Sequence, residues 1–210
     1  MHETLEPFSG APAATLTLAV IAIVGLLSLN GMPQLIERHL LRPYDLVPRR
    51  QWHTLVTSGF IHADLAHLLF NAFSFWAFGF DLERALGTPA FVLLYAFGLL
   101  ASSLATWAIH RAQPGYSSLG ASGAILAVVF AAIVVNPGSS LLILPIPFPI
   151  PAPLFAVGYL AYSIWSSHRA TGRVNHDAHI AGAITGLVFV ALTDPAAYRQ
   201  LAGMLGYDAQ

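Results

Sequence analysis

The chain has 210 residues, of which 56% are hydrophobic and only 9% are charged, against roughly a quarter charged in ordinary soluble domains. Its formal net charge is −1, and it contains no lysine and no cysteine. The sequence therefore excludes disulfides, thiolate metal sites and a polybasic surface for nucleic acid. This composition is typical of a protein that crosses the lipid bilayer several times.

Six apolar segments follow one another, and most approach the roughly 20 residues that a helix needs to cross a bilayer. They lie at about residues 13–29, 63–80, 89–109, 122–135, 154–166 and 177–192. Between the first two, Leu35, Ile36, Leu40 and Leu41 recur at helical spacing, which predicts a short interfacial helix. The predicted fold is an all-α membrane protein. One six-helix domain with a long interfacial first loop covers residues 13–193, between short tails at 1–12 and 194–210.

The fourth segment is too short for a full crossing. Fourteen residues at 1.5 Å each extend about 21 Å, against a hydrocarbon core of about 30 Å. One end must lie below the membrane surface, and we expect it to be Gly120-Ala121-Ser122-Gly123. A serine at a helix N-terminus, between small residues, has an exposed hydroxyl and free backbone N–H groups around it. These groups can serve as a nucleophile and as part of an oxyanion site.

Polar side chains gather at the entrances of three alternate segments. Segments two, four and six start from the same side of the membrane, and near their starts lie His62, His67, Asn71, Ser122 and His179. Polar side chains within membrane spans are functional candidates. His67 and Asn71 are four residues apart and share a helix face. Both could donate hydrogen bonds to an oxyanion beside the Ser122 backbone N–H.

Small residues recur on the fourth and sixth segments. They are Gly120, Ala124, Ala127 and Ala131 on the fourth, and Ala178, Gly182 and Gly186 on the sixth. Alone, these stripes indicate close helix packing. With a serine and a histidine at matching depth, they predict that His179 reaches Ser122. Asp177 and Asp64 are badly placed to be a third member, so the sequence favours a two-residue Ser–His device with histidine as general base.

The ordered set of motifs resembles the rhomboid intramembrane serine proteases. The resemblance extends from residue 51 to residue 192. It rests on Thr57-Ser58-Gly59-Phe60-Ile61-His62, His67-Leu68-Leu69-Phe70-Asn71, Glu83-Arg84 with Leu86-Gly87, Gly120-Ala121-Ser122-Gly123, and Ala178-His179-Ile180-Ala181-Gly182 with Gly186. Each motif alone is weak, but their order and spacing agree with the family. One departure is Trp52-His53, where many relatives have Trp-Arg.

The resemblance implies a six-helix rhomboid core that cleaves transmembrane substrate proteins through an acyl-enzyme. It implies Ser122 as nucleophile, His179 as base, and His67 and Asn71 as oxyanion donors with the Ser122 backbone. His62 would be a polar neighbour of the entrance.

By the same match, Gly120 and Gly123 would support the nucleophile within the Gly-x-Ser-Gly element. The proposed chemistry needs no cofactor and no metal. A zinc pair of His176 with His179 is disfavoured because no third ligand converges on it. Four further histidines are expected to be solvated, namely His2, His39, His110 and His168.

Two other functions remain open. A catalytically silent rhomboid-like membrane chaperone or helix-binding protein would be expected to lack Ser122 and His179. A small transporter would be expected to have paired broken helices in matching halves, a pattern that this sequence lacks.

The orientation in the membrane has two opposing indications. Seven of the nine arginines lie in loops on the side of Ser122, and the positive-inside rule would place that side in the cytoplasm. The resemblance implies an outward-facing site in the plasma membrane, with both termini cytosolic, and this is the arrangement that we expect.

Overall fold

The computed structural model describes residues 9–142, 147–169, 174–204 and 206, so most of the predicted N-terminal tail lies outside it. The described residues are mostly helical. In chain order the elements are α1 (Pro12–Leu26), a π-turn (Leu27–Gly31), α2 (Gln34–His39), α3 (Thr54–Thr57), a 3-10 turn (Ser58–Phe60), α4 (Leu65–Leu86), α5 (Thr88–His110), α6 (Ser122–Val135), β1 (Ser140–Leu141), β2 (Ile150–Pro151), α7 (Ala152–Ser167), α8 (His176–Thr193) and α9 (Pro195–Met204). The two short strands pair antiparallel.

Four helical segments within the described ranges are long and apolar enough to cross a membrane. They are α1 with its π-turn, α4, α5 and α8. The fourth and fifth predicted segments are also helices, but α6 has 14 residues and α7 has 16. Both are therefore shorter than the roughly 20 residues of a full perpendicular crossing. The chain is an integral membrane protein with several spans.

Helix α4 extends beyond the predicted second span. The predicted second span stops at residue 80, but the helix continues to Leu86 and ends at Gly87, whose φ is +79°. Arg84 pairs with Asp81 at 2.6 Å within the last turns of the helix. Glycine adopts a positive φ at little cost, so the turn after α4 ends the helix where the charges do not.

Glu83 extends α4 because its charge has partners. Its side chain is 1% exposed and accepts hydrogen bonds from the backbone N–H groups of Ala13 at 3.1 Å and Ala14 at 2.6 Å. It also accepts one from the Thr88 hydroxyl at 2.6 Å. The N–H groups at a helix N-terminus are unpaired and carry partial positive charge, so a buried carboxylate there is stabilised. Glu83 thereby joins the start of α1 to the turn between α4 and α5.

The segment between α1 and α4 contains the predicted short helix. Leu35 and Ile36 lie on α2, whereas Leu41 lies beyond it and forms an antiparallel backbone pair with Ser118. This pair joins the segment to the loop that precedes α6. A hydrogen bond of 3.0 Å also joins His39 Nδ1 to Thr57 Oγ1, so His39, which was expected to be solvated, is half-buried and has a partner within the protein.

His53 lies directly before α3 and contacts the region around α2. Its Nε2 lies 3.4 Å from the Arg38 carbonyl oxygen. Its ring meets the His39 ring edge-on, with 5.7 Å between centroids. Two histidines thus connect α2 to α3 within the segment between α1 and α4.

The C-terminal region contains one element that the sequence analysis did not predict. Helix α9 lies within the stretch expected to be a short tail. It buries Ala197, and the Tyr198 hydroxyl donates a hydrogen bond to the Leu187 carbonyl at 2.7 Å. Helix α8 ends at Thr193, directly before Asp194-Pro195, and the chain then folds back against α6 and α8.

Helix α6 forms the centre of the molecule. Eleven of its fourteen residues are buried, and it packs against α4, α5 and α8. A helix that is apolar on every side is stable only when it is surrounded. Ser122, its first residue, is therefore held by the most enclosed element of the fold.

The close approach of α6 and α8 is confirmed. A Cβ atom built on Gly182 would collide with the Gly123 carbonyl oxygen, and one built on Gly186 would collide with that of Ala127. Only hydrogen atoms fit between these backbones, as expected for small residues four positions apart on facing helices.

Gly186→Ala should destabilise the protein by about 1–3 kcal/mol, because the added methyl group forces the two backbones apart. Gly158→Ala is the matched control, since nothing lies within 4 Å of a Cβ built there and alanine favours a helix. Denaturant titration in detergent micelles measures the free energy of unfolding of both variants. Equal stabilities of the two variants would contradict the proposed packing constraint.

Candidate active site

Ser122 and His179 are in contact. Ser122 is the first residue of α6, and its Oγ lies 2.7 Å from His179 Nε2. His179 lies in the first turn of α8, so the glycine contacts between α6 and α8 determine this distance. A hydroxyl bonded to an imidazole is the arrangement that activates a serine as a nucleophile.

The other ring nitrogen of His179 is hydrogen-bonded to Tyr159 on α7. The Tyr159 hydroxyl oxygen lies 2.8 Å from His179 Nδ1, and the two rings are roughly parallel with centroids 6.3 Å apart. Sequence analysis missed this residue. No motif marks Tyr159, and its contact with His179 depends on how α7 packs against α8.

His67 and Asn71 converge beside Gly120. A methyl group built on Gly120 would collide with the His67 ring and would lie 3.6 Å from Asn71 Nδ2. Asn71 is 2% exposed, and its Nδ2 has no hydrogen-bond partner among the described residues. A buried amide donor without a partner is unfavourable unless a ligand completes it. Both predicted donors thus lie near the residue two positions before Ser122.

Different structural constraints require glycine at Gly120 and at Gly123. Gly120 has a φ of +107°, and its N–H donates to the Ser58 carbonyl at 2.9 Å. A Cβ on Gly123 would collide with Ser102. The first glycine gives the backbone its turn into α6, and the second allows α5 to approach.

His62 lies behind His67. Its side chain is 0% exposed, and its ring meets that of His67 edge-on at 5.1 Å between centroids. Burial, and to a smaller extent the neighbouring His67, lower the pKa of His62 to about 4. His62 is therefore neutral at physiological pH.

Asn175 joins three elements at the start of α8. Its Oδ1 accepts from the Ala178 N–H at 3.0 Å, which caps the helix. Its Nδ2 donates to Thr106 Oγ1 at 2.8 Å on α5 and to Ser118 Oγ at 2.9 Å in the loop before α6. The position of an asparagine directly before α8 is a sequence signal for such a cap, and the sequence analysis overlooked it.

His110 was expected to be solvated, and this expectation is wrong. Its side chain is 12% exposed, and its Nε2 lies 2.9 Å from Asp177 Oδ2. The ring stacks on Tyr116 with 3.6 Å between centroids. Asp177 is thus engaged away from His179, in agreement with the expectation that it is no third catalytic member. Burial and the nearby Asp177 raise the pKa of Tyr116 to about 12.

His176 lies near His179, with 5.9 Å between ring centroids. The described part of the chain has no group of three histidine or acidic side chains that could hold a metal ion. His168 is exposed, and His2 lies outside the described residues.

Comparison with known proteins identifies the family. A family model for the rhomboid domain matches residues 49–195, a range that contains His62, His67, Asn71, Ser122 and His179. The chain belongs to the rhomboid family.

Relatives of this rhomboid occur in plants, fungi and bacteria. It is 28% identical to a protein of Arabidopsis thaliana named RHOMBOID-like protein 12, mitochondrial, over 65% of the chain and 45% of the relative. It is 28% identical to Rhomboid protein 1, mitochondrial, of Saccharomyces cerevisiae over 80% of the chain and 49% of the relative. Rhomboid protease GluP of Bacillus subtilis is 33% identical over 43% of the chain and 17% of the relative. The chain thus matches about half or less of these proteins. Two are named mitochondrial, which does not favour the expected plasma membrane.

His62 should lower the free energy of unfolding of this rhomboid at acidic pH. Because its pKa is about 4 in the folded state and about 6.5 when unfolded, the unfolded chain binds the extra proton between these values. The free energy of unfolding should therefore fall as pH decreases from 6.5 to 4, by about 1 kcal/mol per pH unit from this residue. Unfolding of wild type and His62→Gln in micelles at several pH values measures the difference in slope. His168→Gln, at an exposed position, should keep the wild-type slope, and the same slope in all three would refute the assignment.

Proposed function

We propose that this rhomboid is an intramembrane serine endopeptidase, with Ser122 as nucleophile and His179 as general base. The observation that carries the proposal is the 2.7 Å hydrogen bond between Ser122 Oγ and His179 Nε2. Family membership supports the reaction class, because relatives include a protein named a rhomboid protease.

The reaction would be acyl transfer in two halves. His179 Nε2 takes the hydroxyl proton as Ser122 Oγ attacks the carbonyl carbon of the scissile peptide. The protonated His179 then gives that proton to the leaving amine, and the acyl-enzyme remains. Water attacks the ester while His179 accepts one of its protons, and that proton returns to Ser122 Oγ as the acid product leaves.

The negative oxygen of the tetrahedral intermediate would be bound between α4 and α6. The backbone N–H of Ser122, at the α6 N-terminus, is one donor. Asn71 Nδ2 and the His67 ring are the others, and the lack of a partner for Asn71 Nδ2 among described residues supports this role. Donors held in a low-dielectric site need no reorganisation during the reaction.

In the membrane, we propose a bundle of six spans, in which the short α6 ends below the surface on the Ser122 side. The segment between α1 and α4 would lie at the interface on that side. The substrates would be transmembrane proteins, cut where a helix unwinds near its exposed end. The site would face away from the cytoplasm, and a topology reporter fused after Gln210 tests this orientation.

Ser122→Ala and His179→Ala should each abolish cleavage, by at least about a thousandfold, because each removes a partner of the activated hydroxyl. Covalent labelling by a fluorophosphonate probe in detergent measures the reactivity of the Ser122 hydroxyl. Cleavage of a fluorogenic transmembrane peptide in proteoliposomes measures the activity of both variants. Ser117→Ala and His168→Ala are matched controls at exposed positions and should keep full activity.

Two results would overturn the proposal. Labelling that persists in both site variants would show that another group reacts. A wild-type protein that neither labels nor cleaves, but binds transmembrane peptides, would favour the catalytically silent alternative.

Asn71→Ala should lower kcat about a hundredfold and leave KM nearly unchanged, because an oxyanion donor acts mainly in the transition state. Asn30→Ala, at an exposed position, is the control and should match the wild type. Steady-state cleavage of the same peptide measures both constants. A rise in KM with an unaltered kcat would assign Asn71 to substrate binding instead.

A further inference from the structure

Tyr159 contacts the one nitrogen of His179 that the serine leaves free. Its hydroxyl oxygen is 2.8 Å from Nδ1, while Nε2 contacts Ser122 Oγ at 2.7 Å. The Tyr159 ring is held in turn by aromatic contacts with Phe155 on α7 at 5.6 Å and Phe130 on α6 at 6.1 Å between centroids. The hydroxyl is therefore presented by a packed ring.

The two hydrogen bonds of His179 are linked through the position of one proton. A neutral imidazole carries hydrogen on a single nitrogen. For Nε2 to accept the serine proton, it must be bare, and the hydrogen must lie on Nδ1. Nδ1–H then needs an acceptor, since an unpaired buried donor is costly. Tyr159 supplies the oxygen.

We propose that Tyr159 is a positioning residue that holds His179 in the tautomer with hydrogen on Nδ1, so that Nε2 points a lone pair at Ser122. This inference rests on the proposed function. It makes the active site a serine and a histidine oriented by a phenol from a third helix. Tyr159 does not touch the reacting atoms and acts through His179.

The membrane gives a physical reason for a phenol at this position. A carboxylate that oriented the histidine at this depth would have to be buried as a charge, at considerable cost. A neutral hydroxyl oxygen accepts the same N–H bond without that cost. The nearest acid on α8, Asp177, is instead bonded to His110 at 2.9 Å, so it does not compete for Nδ1.

The contact also makes the base depend on α7. Ser122 and His179 belong to α6 and α8, whose backbones are in contact. Tyr159 belongs to α7, in which only Ala152, Ser163 and Ser166 are buried. The orientation of the imidazole therefore depends on a helix at the periphery of the fold.

Tyr159→Phe is the decisive variant because it keeps the ring and removes only the oxygen. The rate of fluorophosphonate labelling and kcat for the transmembrane peptide should fall about tenfold to a hundredfold, with KM nearly unchanged. Tyr159→Leu should lower the labelling rate and kcat further, since it also removes the ring. Tyr162→Phe is the control on the same helix, at a side chain that is 54% exposed, and should retain wild-type rates.

A spectroscopic measurement tests the tautomer without reference to activity. Protein labelled with ¹⁵N-histidine in micelles is compared with His179→Gln, which assigns the His179 ring signals by their loss. The wild type should show a protonated Nδ1 and an unprotonated Nε2. Tyr159→Phe should show a mixture of the two tautomers or faster exchange of the Nδ1 proton with water.

The outcomes separate the two proposals. If Ser122→Ala abolishes labelling but Tyr159→Phe labels at the wild-type rate with an unchanged tautomer, the positioning role is wrong and the protease stands. If the wild type never labels, the protease is wrong, and the ¹⁵N signals still decide whether Tyr159 determines the tautomer. A bare Nδ1 in the wild type overturns the positioning role in either case.

Discussion

The backbone contact between α6 and α8 is the constraint on which the rest of the site depends. Gly182 and Gly186 lie directly against carbonyl oxygens of α6, and no larger residue leaves room for this approach. Because Ser122 begins α6 and His179 lies in the first turn of α8, their separation follows from the distance between the two helices. In a bilayer, where apolar surface does not drive helices together, such packing of small residues is a principal source of association.

Polar bonds at the mouth of the site complete what glycine packing begins. Asn175 caps α8 and connects it to α5 and to the loop before α6, and His110 connects α5 to Asp177. These hydrogen bonds fix the rotation of α8 and its position along its own axis. Contacts between small residues alone would let the helix slide. Glu83 performs a similar task at the opposite end, where it caps α1. Polar side chains in this fold therefore lie where helices need a defined register.

Much of the fold and site could be predicted because the membrane imposes simple rules on a sequence. Apolar length predicts the spans, and an alternation of crossings predicts that the starts of segments two, four and six lie on one side. The small residues around Ser122 and His179 then indicate which helices meet. The predicted second segment stops at residue 80, whereas α4 continues through three charged residues to Leu86. Charged residues continue a helix when partners such as the α1 N-terminus neutralise them, and those partners are distant in sequence.

The sequence by itself determined the membrane setting, the order of the spans and the identity of the serine and histidine that face each other, because these depend on local composition and spacing. The tertiary structure alone decided that Tyr159 contacts His179, that His110 pairs with Asp177, and that Asn71 keeps an unpaired amide. Each of these depends on the rotation of one helix against another by a fraction of a turn. Periodicity predicts which face of a helix is buried, but it does not predict which atom on that face meets which atom of its neighbour.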